Sequence, residues 1–223
     1  APVAGADQIV VLERGRITGE GTSAELADHL GLPESDLTAL AVYQNKLFIG
    51  TRTKNLLSFD GEKFENYVWT DRTAQAVTSF LETNGKLLIG TFNGGLIEFD
   101  GADFAEIKAD EKPLPAVTGL FKTSTKIIVG TFEGGLKIYE NGVWKNYTTA
   151  ENLPSNRITG AAEKDGKLYV ATDFGIAILQ EKSFRKLAIL PAVSGLISHE
   201  NRILLTKDSG EIYTFDNSLK EFS

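Results

Sequence analysis

An all-β chain of repeated, stacked sheets is the fold that the sequence predicts, and three observations predict it. One module recurs five times: KLFIGTRTKNLLSFDG from Lys46, KLLIGTFNGGLIEFDG from Lys86, KIIVGTFEGGLKIYENG from Lys126, KLYVATDFGIAILQEK from Lys167 and RILLTKDSGEIYTFDN from Arg202. The strands that precede these modules start at Leu37, Val77, Val117, Ile158 and Val193, at offsets of 40, 40, 41 and 35 residues. That is the length of one four-stranded propeller blade. The strands that open the modules, such as Leu87-Leu88-Ile89 and Ile127-Ile128-Val129, are apolar without alternation. A strand with one wet face alternates, so an unbroken apolar run implies cover on both sides. The expected fold is a β-propeller of five complete four-stranded blades plus an N-terminal two-stranded hairpin, half of a sixth blade. The blades are expected at about 37–70, 77–109, 117–149, 158–190 and 193–223 of a single domain covering residues 1–223.

Taken in order, QIVVLERGRITGEGT (residues 8–22) reads as two short strands around Arg14-Gly15. Residues 23–35 read as a helical turn, with Ser23 as N-cap and Gly31 and Pro33 as stops. First strands then follow one template, LTALAVY, VTSFLET, VTGLFKT, ITGAAEK and VSGLISH, with Thr or Ser second and Ala, Ser or Gly third. Small side chains suit the innermost strand of a radial sheet, where neighbours crowd an axis. Third strands alternate and end in Asp60-Gly61, Asp100-Gly101 or Asn141-Gly142, residues suited to type I′ hairpin turns. Fourth strands carry Phe64/Tyr67, Phe104/Ile107, Trp144/Tyr147 and Phe184/Leu187 at a constant 40-residue offset. In the last repeat Leu205 stands where Gly-Thr is expected to supply its Gly. Ordering a blade costs about 1–2 kcal/mol per residue in backbone entropy. A buried apolar side chain returns only about 1.5–3 kcal/mol, so the repeats are expected to need one another's faces.

Two resemblances follow from particular residues. LPSNRITGAAEKDGKLYVATDFGIAIL, from Leu153 to Leu179, resembles the repeat of two-component-regulator propellers, and GLPESDLTAL from Gly31 echoes its opening. That resemblance implies an extracytoplasmic, sensory or ligand-recognising propeller. This chain departs from it where Phe48, Leu88, Ile128 and Tyr169 replace the family's frequent Trp. DQIVVLERGRITGEGTSAEL resembles a segment of ABC-transporter ATPases. The chain has neither the phosphate-binding G-x-x-x-x-G-K-[ST] loop nor the signature motif of that family, so no ATPase function is carried over.

Bulk properties narrow the function classes. The net charge of −7 comes from scattered acidic residues, and no Lys/Arg stripe exists to displace counterions from phosphates, so no nucleic-acid partner is expected. Cysteine is absent, which removes thiolate chemistry. His29 and His199 are far apart in sequence and are expected in solvated loops. No metal or other cofactor is expected. No apolar run approaches the ~18 residues of a spanning helix, so no membrane insertion is expected. A chain without Met that opens Ala1-Pro2-Val3-Ala4-Gly5-Ala6 reads as a processed or trimmed product. A periplasmic or extracellular location is expected, with the cytoplasm as the alternative.

The residues without a structural reason are those between second and third strands: Arg52 and Lys54, Phe92 and Asn93, Phe132 and Glu133, Asp173 and Phe174, Lys207 and Asp208. A propeller would bring these equivalent positions to one mouth of its axis. Aromatic and charged groups there suit a protein, peptide or glycan ligand, against the plainer reading that the Phe side chains cap gaps between blades. The expected function is non-enzymatic, sensory-type recognition on the axial face. The alternative is a propeller-type lyase or hydrolase with carboxylates at the axial channel.

Overall fold

The computed structural model describes residues 8–13, 16–22, 37–52, 56–68, 76–109, 111–199, 202–215 and 219–221. The helical turn expected at 23–35, with His29, lies outside them, as does Lys54. Chain contacts group into two compact units, residues 1–78 and 79–223.

The N-terminal stretch forms an antiparallel hairpin of β1 (Gln8–Glu13) and β2 (Arg16–Thr22). Five sheets follow, each ordered as the chain runs. The first holds β3 (Leu37–Tyr43), β4 (Lys46–Thr51), β5 (Leu56–Phe59) and β6 (Phe64–Tyr67). The second holds β7 (Val77–Thr83), β8 (Lys86–Thr91), β9 (Gly95–Phe99), β10 (Phe104–Ala109) and a two-residue β11 (Lys112–Pro113). β11 is a fifth strand beyond the repeat, paired with Lys108 and Ala109. The third holds β12 (Val117–Lys122), β13 (Ile127–Thr131), β14 (Leu136–Glu140) and β15 (Val143–Tyr147). The fourth holds β16 (Ile158–Lys164), β17 (Lys167–Thr172), β18 (Gly175–Gln180) and β19 (Ser183–Ile189). The fifth holds β20 (Val193–His199), β21 (Arg202–Lys207), β22 (Ile212–Phe215) and β23 (Leu219–Glu221).

The doubly apolar second strands are explained by what lies on either side of them. Adjacent residues of β13 serve opposite interfaces. Val129 packs back toward Leu88 and Leu96 of the second sheet. Ile128 packs forward with Ile158, Leu168 and Val170 of the fourth. The fourth sheet repeats the pattern, with Ala171 and Ile176 against Val193, Leu196, Ile203 and Leu205 of the fifth. Each such side chain, fully buried, contributes about 1.5–3 kcal/mol, available only when the next sheet is present.

The repeated small residues have a matching cause. A Cβ on Gly50 would lie 2.5 Å from Val77 Cγ1, and one on Gly130 would lie 2.9 Å from Ile158 Cγ2. The Gly of Gly-Thr thus makes room for the first residue of the following sheet. In two of the repeats the Thr in second position of the first strand adds a polar tie across the same seam. Thr38 Oγ1 donates to Val77 O at 2.5 Å, and Thr118 Oγ1 to Ile158 O at 2.6 Å.

Two expectations are corrected. In the fifth sheet Thr206, not Leu205, holds the glycine position, because Thr206 pairs with Gly195 as Gly130 pairs with Gly119. Lys207 therefore stands at the Thr position, and Leu205 is a buried core residue. Asp60-Gly61 and Asp100-Gly101 are not two-residue type I′ turns either. Phe59 pairs with Phe64 and Phe99 with Phe104, leaving four-residue loops. In these loops the Asp60 carboxylate accepts from Glu62 N and Lys63 N, and Asp100 from Ala102 N and Asp103 N, each at 2.9 Å. Of the three pairs expected to end third strands, Asn141-Gly142, with φ of 51° and 82°, has both residues in the left-handed region.

Candidate functional site at the turn end

The antiparallel register puts the start of each first strand, the turn between second and third strands, and the exit of the fourth strand at the same end of a sheet. Val117 pairs with Thr131, and Leu136 with Tyr147. In the 79–223 unit the linkers join neighbouring turns through the backbone. The linker before the fourth sheet receives Gly135 N on Asn156 O (3.0 Å) and Asp173 N on Arg157 O (3.3 Å). The linker before the fifth gives Ala192 N to Asp173 O (2.8 Å) and receives Asp208 N on its own carbonyl (2.9 Å). Phe132 N donates to Ala116 O at 2.9 Å. The turns of the third, fourth and fifth sheets therefore form one hydrogen-bonded arc.

Three turns of the 79–223 unit are clasped from beneath by the Thr that ends the second strand. Thr91, Thr131 and Thr172 are fully buried, and their hydroxyls donate to Gly95 O (3.0 Å), Gly135 O (2.6 Å) and Gly175 O (3.1 Å). Thr91 Oγ1 also accepts from Gly94 N, and Thr172 Oγ1 from Phe174 N. A fully satisfied buried hydroxyl holds its turn, because leaving the group unpaired would cost about 1–3 kcal/mol. In the fifth sheet an ion pair takes the place of this clasp, with Lys207 Nζ 3.0 Å from the Glu211 carboxylate and 5.9 Å from the Tyr213 ring centre.

On this scaffold the singled-out residues divide. Phe92 (42% exposed) meets Phe132 edge to face, with ring centres 5.5 Å apart, and the Arg157 guanidinium lies 4.8 Å over the Phe132 ring. Asn93 and Glu133 are exposed beside them. Phe174 is 56% exposed. Its neighbour Asp173 is half-buried, and one carboxylate oxygen is buried without a hydrogen-bond partner. Lys207 is committed to Glu211, and Asp208 is exposed. Arg52 is exposed at the end of β4 in the 1–78 unit.

Arg157 was not singled out in the sequence, although a signal exists. The residue before each first strand is Ala76, Ala116 and Ala192 in three repeats and Arg157 in a fourth. Its linker is braced by a one-turn 3-10 helix, Thr149–Glu151, in which Glu151 accepts from Thr148 N (2.7 Å) and Thr148 Oγ1 accepts from Ala150 N (3.2 Å). Asn156 adds a bond from Thr149 N at 2.8 Å.

Electrostatics at this end and elsewhere favour charged carboxylates. Among the described residues, every carboxyl group with a displaced pKa is displaced downward. Turn N–H groups hold Asp60 and Asp100 low, the Thr148 N–H and hydroxyl hold Glu151, lysines hold Glu65 and Glu140, and Ser209 with Lys207 holds Glu211. Groups stabilised as anions serve as acceptors and ion-pair partners rather than as general acids near neutrality. Among the described residues no three His, Asp or Glu side chains gather as a metal site.

No protein-family model matches the chain, and no curated protein matches it in sequence. Solved structures do match. The extracellular domain of BT4673 from B. thetaiotaomicron aligns over 83% of this chain at 18% identity with a TM-score of 0.69. This chain spans only 28% of that domain. The WD40 β-propeller domain of Doa1 aligns over 82% of this chain and 67% of its own at 14% identity, with a TM-score of 0.61. YCF48 bound to D1 peptide aligns over 84% and 68% at 9% identity, with a TM-score of 0.60. The likeness is one of fold: repeated antiparallel sheets of the β-propeller kind.

Proposed function

We propose that the chain is a non-enzymatic recognition propeller, of the sensory type suggested by its repeat, that binds a protein, peptide or glycan on the turn end. One observation carries the reading. Phe92, Phe132 and Arg157 form a solvent-facing aromatic–arginine cluster mounted on clasped, hydrogen-bonded turns. Aromatic and Arg side chains dominate binding hot spots because they bury large area at little conformational cost, and a rigid mount lowers that cost further. Phe174, Asn93, Glu133, Asp173, Lys207 and Asp208 supply the polar and aromatic rim in this reading. YCF48 holding a peptide and a nidogen/laminin complex are structures of this fold with protein partners. The likeness to the extracellular domain of BT4673 supports a location outside the cytoplasm.

The test is selection from a displayed peptide library and a glycan array on immobilised wild-type protein, repeated with Phe92→Ala/Arg157→Ala. The expected result is a saturable binder whose affinity falls at least tenfold in the double variant, since hot-spot truncations of about 2 kcal/mol or more have that effect. Binders that hold the variant as tightly, or no binder in either library, would count against the reading.

A further inference from the structure

The seam between the second and third sheets differs from the seam between the third and fourth, and the difference opens a cleft. In the latter, Ile138 and Tyr147 are buried, and Tyr147 meets Phe184 edge to face with ring centres 5.5 Å apart. The hairpin register places Glu98 where Ile138 stands and Ile107 where Tyr147 stands, since Phe99 pairs with Phe104 as Tyr139 pairs with Trp144. A carboxylate and a smaller side chain leave the second seam unfilled. The result is a cleft of about 420 Å³ with Trp144 and Tyr139 on one wall and Lys86, Glu98 and Ile107 on the other. Its volume lies within the range of about 300–1,000 Å³ usual for small-molecule sites. Thr83 and Asn84 at its rim belong to the sheet end opposite Phe92, so the cleft is separate from the turn-end cluster.

The walls have complementary chemistry. Trp144 and Tyr139, with ring centres 5.1 Å apart, present an aromatic surface whose electron-rich faces receive C–H groups. Opposite them, Lys86 Nζ lies 2.5 Å from a Glu98 carboxylate oxygen, and the Glu98 side chain keeps 29% exposure. This pair offers N–H donors and carboxylate acceptors side by side, with Lys108 and the Asn84 amide beyond it. An aromatic floor facing mixed donors and acceptors fits a ring that is apolar on one face and hydroxylated around its edge. We infer that this inter-sheet cleft binds the pyranose ring of a saccharide, stacked on Trp144 and hydrogen-bonded by Lys86 and Glu98.

The experiment is saturation-transfer NMR and calorimetric titration of the whole protein with cellobiose, lactose, maltose and chitobiose. At least one disaccharide is expected to bind saturably. Glu98→Ile/Ile107→Tyr, which copies the filled seam into the open one, is expected to weaken it at least tenfold while leaving the melting temperature near wild type. Lys86→Met/Glu98→Gln, which keeps the space but removes the charges, provides a second variant should the first fold poorly, and is expected to weaken binding by the same factor. Binding of none of the four sugars, or binding unchanged in a folded variant, would overturn the assignment. Disaccharide binding that falls in Phe92→Ala/Arg157→Ala but not in the cleft variants would place the sugar at the turn end and overturn the assignment, so this proposal and the turn-end reading fail separately.

Discussion

At the residue scale, the repeat is a set of steric and polar answers to one problem, how close two sheets can come. Gly160 shows it most sharply: a Cβ there would lie 2.6 Å from the backbone nitrogen of Leu196 in the next sheet. A backbone atom cannot turn aside as a side chain can, so Gly160→Ala is expected to force the fourth and fifth sheets apart. The expected loss is about 1–3 kcal/mol, the usual cost of overpacking, read as a shift in the denaturant midpoint. An unchanged midpoint would mean that the seam yields freely. The small third residue of the first strand was legible in the sequence because it recurs. Arg157 was not, because a side chain that matters for departing from its repeat is hidden by a search for what repeats.

At the element scale, hairpins and linkers decide where chemistry is displayed. Strand positions and doubly apolar second strands could be read directly, since burial on both faces suppresses alternation. The loop types could not: Asp-Gly suits both a two-residue turn and the observed four-residue loop, and only the register of Phe59 with Phe64 separates them. The loop geometry carries a pH prediction. Turn N–H groups from Asp103 and Ala102 stabilise the Asp100 anion and lower its pKa. A group whose pKa is depressed on folding contributes stability that is complete above its unfolded value, about 3.9 for Asp, and lost as pH falls through the folded value. The melting-temperature gap between wild type and Asp100→Ala is therefore expected to be constant above about pH 5 and to shrink below about pH 4. A gap that persists unchanged at the acid end would show that the anion is not what holds the loop.

At the scale of the whole molecule, the 79–223 unit makes stability and display one property. The clusters joining second to third, third to fourth and fourth to fifth sheets leave the interior sheets no core of their own. The same stacking fixes the turns and the linker that carry Phe92, Phe132 and Arg157. The fifth sheet departs from the pattern: Thr206 occupies the glycine place, and Ile197 is 59% exposed. Native-state hydrogen exchange of the slow amides in β8, β13 and β17 tests this interdependence most directly. If neighbouring sheets are each other's core, these amides are expected to share one opening free energy and one denaturant dependence. Exchange of β17 through a separate, smaller opening while β8 and β13 stay protected would contradict it.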